Sequence, residues 1–186
     1  MKYLNRYVFG IILSAFLVVI ILILNSSSSN SSKHRDLASD YVKNNSIAEI
    51  YVRGPVTATV NHYEVSIAVS SSNVVMNIYQ GYDGQIIASK TYANTYNSYN
   101  NFMYALNGVG FTLGGNAYSS PIGQCATGQT YQYQLYKNSI KIQDFWSSNC
   151  DSKGTYKGDA SGTFNLFKSQ VPDFDDLIAK SNITTE

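Results

Sequence analysis

The longest uninterrupted apolar run covers residues 7–24, which carry no charge and are broken only by Gly10 and Ser14. Eighteen to twenty-two helical residues at about 1.5 Å each reach roughly 27–33 Å, the thickness of a bilayer's hydrocarbon core, so the run predicts a membrane-spanning helix. Lys2 and Arg6 precede it and the next basic residue is Lys33, a bias that keeps the N-terminus in the cytoplasm. A cleaved secretory signal is the competing reading, with Asn25, Ser26 and Ser27 at the cleavage position. No cysteine follows the run directly, which argues against a lipoprotein. Ala15 stands where a pilin-type helix would carry glutamate five residues after Gly10.

Beyond the run, residues 25–32 read NSSSSNSS, too polar to pack, and predict a flexible linker. Residues 33–43 predict a short helix starting at Asp36. Ile50, Tyr51 and Val52 predict a strand that stops at Arg53-Gly54-Pro55, and residues 56–60 an edge strand. Tyr63, Val65, Ile67 and Val69 alternate with Glu64, Ser66 and Ala68, a period of two that buries one face and leaves Glu64 on the other, toward solvent. Val74, Met76 and Ile78 continue the pattern, Gly81-Tyr82-Asp83-Gly84 turns it, and residues 85–92 make a third strand of an antiparallel meander.

The period then lengthens. Tyr96, Tyr99, Phe102, Met103 and Leu106 recur at helical spacing behind a cap at Asn94 or Thr95, and Gly108 and Gly110 stop the helix. Tyr131, Tyr133 and Leu135 return to period two, as do Ile140, Ile142 and Trp146 after Asn138-Ser139. A two-residue turn there sets Leu135 opposite Ile142 and Tyr131 opposite Trp146, both pairs on one face. A Gly-rich connection over 151–162 leads to a helix at 163–170, ended by Pro172, and Asp173 caps a last turn holding Phe174, Leu177 and Ile178.

Strands, helix, strands and helix in that order predict an α+β domain with an antiparallel sheet and helices on one face; a β-sandwich is the alternative if the helices prove to be loops. The chain thus divides into a cytoplasmic stub and anchor (1–25), a Ser/Asn-rich linker (26–46), an extracytoplasmic domain (47–180) and a tail (181–186).

Composition narrows the function. Charged residues are 13% of the chain against roughly 25% in an average soluble protein, and the net charge is +1. Without a basic patch, nucleic acid is not a partner. Cys125 and Cys150 are the only cysteines and fall at the open end of the predicted hairpin, so outside the cell they predict a disulfide. With His34 and His62 they lack zinc spacing, and both histidines read as solvated. Asn25, Asn30, Asn44 and Asn182 begin Asn-x-Ser/Thr sequons, which matter only in a host that glycosylates asparagine.

No enzyme motif stands out. Gly158-Asp159-Ala160-Ser161-Gly162 has the wrong spacing for a nucleophile elbow and reads as a loop. Glycoside hydrolysis needs two facing carboxylates, for which Glu49, Glu64, Asp83 and Asp144 are the candidates. Asp173, Asp175 and Asp176, with Asp151 and Asp159, suit calcium by residue type but lack its loop spacing, and read instead as a helix cap and first turn. No cofactor or metal is expected. Tyr82, Tyr96, Tyr99 and Trp146 are the candidate ligand-contacting aromatics, because aromatic faces pack on sugar rings; for the helical stripe containing Tyr96 and Tyr99 the competing reading is core.

Several segments in order, Arg53-Gly54-Pro55, Gly81-Tyr82, Asn94-Thr95 with Tyr99, Phe102, Ala105 and Leu106, Gly110-Phe111-Thr112, Cys125-Ala126-Thr127-Gly128, Trp146-Ser147 with Cys150, Gly154-Thr155-Tyr156-Lys157-Gly158 and Gln170-Val171-Pro172-Asp173-Phe174, carry a resemblance. Over roughly residues 50–175 the chain resembles single-pass, membrane-anchored extracytoplasmic proteins of small-genome, host-attached bacteria, a family without an assigned activity. The resemblance implies an anchor, an exported domain and a disulfide, and no catalytic residues.

The expectation is a single-pass protein of the cell membrane with its C-terminal domain outside, or one secreted after signal cleavage. It touches the bilayer through residues 7–24 and meets a protein or glycan partner at the surface as a non-enzymatic binding or envelope-assembly module. The alternatives are a cell-envelope glycan- or peptidoglycan-acting enzyme with an unrecognised carboxylate pair, and a structural subunit that packs through the apolar helix.

Overall fold

The computed structural model describes residues 37–42, 45–115, 120–150, 154–179, 181 and 183. The apolar run, the start of the linker, His34, Asp151 and the four sequon asparagines lie outside them. Among the described residues no helix is long and apolar enough to cross a membrane.

Period-two segments become strands β1 (Ser46–Arg53), β2 (Tyr63–Val69), β3 (Asn73–Gln80), β4 (Gln85–Ala93), β5 (Thr130–Lys137) and β6 (Ile140–Ser148). They form one antiparallel sheet in the order β4-β3-β2-β1-β5-β6. The two strand units predicted separately are therefore halves of a single sheet, joined where β5 pairs with β1 from Ser46↔Lys137 to Arg53↔Thr130. Helices α1 (Tyr96–Gly108), α2 (Ala160–Lys168) and α3 (Phe174–Ile178) complete an α+β fold rather than a sandwich.

Register explains the core. Ala48, Ile50 and Val52 of β1 stand beside Val69, Ile67 and Val65 of β2 and beside Leu135, Tyr133 and Tyr131 of β5, so their side chains share one face. On that face the helices lay Tyr99, Phe102, Met103 and Leu106 from α1 and Phe164 and Phe167 from α2, all within one buried cluster. Phe167 sits edge-on to Phe102 at 5.1 Å, an arrangement aromatic quadrupoles favour.

Caps fix the helix starts. Thr95 accepts the Ser98 N–H at 3.2 Å at the head of α1, and Asp159 accepts the Gly162 N–H at 2.9 Å at the head of α2. Asp159-Ala160-Ser161-Gly162, expected as a loop, is thus the cap and first turn of α2. Asp173 holds the corresponding position in α3, but its carboxylate accepts from Lys90 Nζ and the Tyr92 hydroxyl of β4 instead of capping. The edge strand supplies two stronger donors than an exposed backbone N–H.

Other expectations are corrected. Residues 56–60 make no strand: Pro55 cannot donate to a ladder, and the segment becomes a loop ending in a 3₁₀ turn, Thr59–Asn61. Residues 37–42, assigned to the linker with a short helix expected from Asp36, hold a single 3₁₀ turn, Ala38–Tyr41, in which Ala38 and then Val42 enter the core against α1. The Asn138-Ser139 turn does have two residues, both at positive φ (49° and 67°), as a twisted hairpin requires. After the paired Ile140 and Lys141, however, a bulge at Ile142 shifts the pairing to Leu135↔Gln143 and Tyr131↔Ser147. One extra residue turns every later side chain of β6 to the opposite face, so Trp146 leaves the helix side on which Leu135 and Tyr131 stand.

Candidate functional site

The face of the sheet away from the helices is polar, and its side chains bond to one another. Glu64 is buried there rather than solvated. Its carboxylate accepts from the Tyr51 hydroxyl and from Arg53 Nε at 3.1 Å, and lies 3.2 Å from His62 Nε2. His62 Nδ1 meets the Pro55 carbonyl at 3.0 Å. A carbonyl only accepts, so Nδ1 carries the hydrogen. Arg53 Nη1 donates to Gln132 at 2.7 Å, and Gln132 and Gln134 both donate to Asp144. The row ends at Glu49, hydrogen-bonded with Ser66 and Tyr136; burial pushes its carboxyl above the ordinary glutamate range, offset in part by those bonds and by Lys141.

Loops roof one end of this row. The Val56 N–H donates to the Ala126 carbonyl at 2.8 Å, tying the loop before β2 to the loop before β5. The Cys125–Cys150 disulfide joins that second loop to the end of β6, with Cα atoms 5.6 Å apart, as the hairpin geometry predicts. The β3–β4 turn forms a third wall. Gly81 has φ +80°, and a Cβ there would meet Thr59 Cγ2 at 3.1 Å and Asp83 Oδ1 at 3.0 Å, so glycine is what lets the turn close on the 3₁₀ turn. Tyr82 is then fixed twice. Its hydroxyl accepts from Thr57 N and donates to Thr57 O at 2.8 Å, while its ring stacks on His62 with centroids 4.0 Å apart and planes 13° from parallel.

Between these walls lies a cavity of about 480 Å³. Its floor is the Tyr51, Arg53, Glu64 and His62 cluster, and Tyr82, Asp83, Val56 and Ile122 stand around it. The volume falls in the range of small-ligand sites, and a few convergent polar groups within an otherwise apolar rim are what orient a ligand.

The sequence candidates distribute unevenly. Tyr82 lines the cavity. Tyr96 is exposed on α1 and is not among its lining residues, and Tyr99 is core: its hydroxyl donates to the Ser46 carbonyl at 2.9 Å. Trp146 is buried outside the helix-side core, and its indole N–H has no partner among the described residues. Of the carboxylates, Glu64 and Asp83 share the cavity, whereas Glu49 and Asp144 stand further along the sheet face. His62, expected in solvent, is 3% exposed. Its signal was its place two residues before Glu64 at the mouth of a strand, legible only once the preceding loop is known to fold back over both.

Of the two carboxylates lining the cavity, Glu64 is engaged by Tyr51, Arg53 and His62, whereas Asp83 has no hydrogen-bond or ion-pair partner among the described residues. Among the described residues no group of His, Cys, Asp or Glu is arranged to hold a metal ion. A smaller space of about 160 Å³ opens between β5, β6 and α2, where Tyr133 and Ser147 hydroxyls bond to each other at 2.7 Å. No protein-family model matches the chain, and no curated protein matches it.

Proposed function

We propose that this protein is a membrane-anchored binding module of the cell surface, held by residues 7–24 and taking its ligand in the cavity over the polar face of β1 and β2. The observation that carries the reading is the buried, cross-linked Glu64 cluster. A carboxylate held by the Tyr51 hydroxyl and Arg53 and in contact with His62 is a fixed recognition surface, its acceptor positions largely engaged before a substrate arrives. The disulfide bracing one cavity wall fits an extracytoplasmic compartment. The resemblance to anchored, exported proteins of host-attached bacteria supports the same address.

A glycan-acting envelope enzyme is the second reading, favoured by the presence of Glu64 and Asp83 in one cavity. It requires Glu64 to serve as acid or nucleophile, which its existing partners oppose.

The test uses the full chain in lipid nanodiscs with isotope-labelled Val and Ile methyl groups and a set of small polar and aromatic fragments. Fragments should shift Val56 and Ile122, and Val56→Trp, which fills the opening, should abolish the response. Fragments that shift only distant methyls would remove the cavity as the site. Hydrolysis of a labelled glycan, lost in Glu64→Gln, would replace binding by catalysis.

A further inference from the structure

The cavity sets an apolar, aromatic rim over a charged floor. Its charges are nearly balanced at the floor, where Arg53 and Glu64 are each other's partners at 3.1 Å. Around it stand three large apolar or aromatic side chains that remain mostly exposed: Tyr82 at 53%, Val56 at 61% and Ile122 at 74%. Such residues on a surface without a partner lose free energy to water, and here they gather around one opening. Tyr82 is the most constrained of them, because Thr57 fixes its hydroxyl from both sides and His62 covers one face of its ring. The rest of the ring is a rigid platform, so a ligand that stacks on it costs little side-chain entropy. Next in sequence, Asp83 lines the same cavity, and among the described residues its carboxylate has no ion-pair or hydrogen-bond partner. Gly84 follows, with nothing within 4 Å of where its Cβ would stand.

Resting on the reading of this cavity as the binding site, we infer that its ligand is a neutral glycan whose terminal pyranose stacks on Tyr82 and donates adjacent hydroxyls to Asp83. A pyranose offers an apolar C–H face to an aromatic ring and a rim of hydroxyl donors to a carboxylate, the two complements this wall presents side by side. An anionic ligand would face Asp83 and Glu64 against a single, already compensated Arg53. A cationic one would gain Asp83 but meet Arg53 at the floor, and the open face of one tyrosine makes a poor cage for it. Val56 and Ile122 suit a sugar with an apolar substituent, such as an N-acetyl methyl.

The probes are tri-N-acetylchitotriose and cellotriose, added to the full chain in nanodiscs and read by saturation transfer to the sugar and by Val and Ile methyl shifts. The inference expects ring C–H protons, and N-acetyl methyl protons where present, to receive more saturation than hydroxymethyl protons, with shifts at Val56 and Ile122. Tyr82→Ala should weaken binding roughly tenfold or more, as for a central aromatic contact, while Tyr82→Trp keeps it. Asp83→Asn, on an exposed side chain outside the packed floor, should weaken it about fivefold with folding unchanged. Sugars that leave Val56 and Ile122 unmoved while other fragments shift them would overturn the glycan and keep the site. If no fragment moves them either, both readings fall. Binding that survives both Tyr82→Ala and Asp83→Asn would also overturn the assignment.

Discussion

Arg53 and Glu64 stand directly opposite each other across β1 and β2, and Arg53 Nε donates to Glu64 Oε1 at 3.1 Å while the same oxygen also meets His62. One carboxylate thereby fixes a strand, its neighbour and the loop between them. Glu64→Ala strands a guanidinium N–H and a tyrosine hydroxyl and removes the contact of His62 Nε2. We expect a loss of about 2–4 kcal/mol, the scale for removing one member of a largely buried charged cluster. Urea unfolding of the two proteins measures it, and a difference below about 0.5 kcal/mol would show that the cluster does not hold the floor together.

Tyr99 contributes from within the core. Its hydroxyl donates to the Ser46 carbonyl and lies 2.8 Å from Ser46 Oγ, fastening α1 to the start of β1. Tyr99→Phe should cost about 1–2 kcal/mol by removing the buried hydroxyl that donates to the Ser46 carbonyl, while Ser46 Oγ keeps the Tyr41 carbonyl, and Tyr99→Ala about 3–5 kcal/mol by adding a cavity. Neither change should affect ligand binding at saturating protein stability. A Tyr99→Phe variant that folds as well as the parent yet binds less would return this residue to the ligand site.

Glu49 predicts a pH dependence with a definite sign. Burial raises its carboxyl pKa, so the folded state holds the proton more tightly than the unfolded chain does. The associated stabilisation is complete below the unfolded glutamate range, about 4.3, and is lost as pH rises through the raised folded value. Glu49→Gln removes the titration. The variant should match the parent's stability at acid pH and exceed it at neutral pH, a gap read by denaturant midpoints across that window. A constant gap at all pH values would mean that Glu49 is solvated in both states. Tyr136, which is hydrogen-bonded to Glu49, is pushed up to about 12 by burial first and then by the nearby Glu49 and Asp144 charges, so it stays protonated throughout the experiment.

The Cys125–Cys150 bridge closes a loop with a sequence separation of 25. In the chain-entropy model such a loop contributes about 3.5 kcal/mol through the unfolded state. Replacing both cysteines by serine should lower stability by an amount of that order, and the cavity-wall methyl of Ile122 should shift. Gly128 packs so close that a Cβ would fall 2.9 Å from one sulfur and 3.0 Å from the other, so Gly128→Ala should perturb the same region with the bridge intact. An unchanged unfolding midpoint in the double serine variant would show that the bridge is dispensable.

Much of this architecture was legible in alternation alone. Val65, Ile67 and Val69 announce their strand, and Thr95 ahead of the Tyr99, Phe102 and Leu106 stripe announces α1, because strand and helix periods are local properties of the chain. The separate halves of the sheet were not joined in that reading, since nothing local in Leu135 or Ala48 says that they are neighbours. The bulge at Ile142 was invisible too, and through it the expected facing of Trp146 failed. The site suffered most. Glu64 occupies the non-helical face of β2, which period two assigns to solvent, but the loop through Pro55, His62 and Thr59 returns over that face and buries it. Tyr82 was picked for its ring and Tyr99 for the same reason; only the packing around α1 separates platform from core.

The pairing of β1 with β5 carries a consequence for the order of assembly. β1 is an inner strand, yet its two neighbours are very unequal in sequence distance: β2 follows within about ten residues, β5 only after Thr130. A chain delivered from its N-terminus, by a ribosome or across a bilayer, can complete β1 to β4 and α1 while the far side of β1 still shows a full row of unpaired N–H and C=O groups. Loop-closure entropy delays the second pairing, and until it forms, the nascent domain has an adhesive flank of eight residues along Ser46–Arg53. Whatever escorts this chain to its destination therefore has one particular strand to shield, and it can let go once Lys137 has arrived.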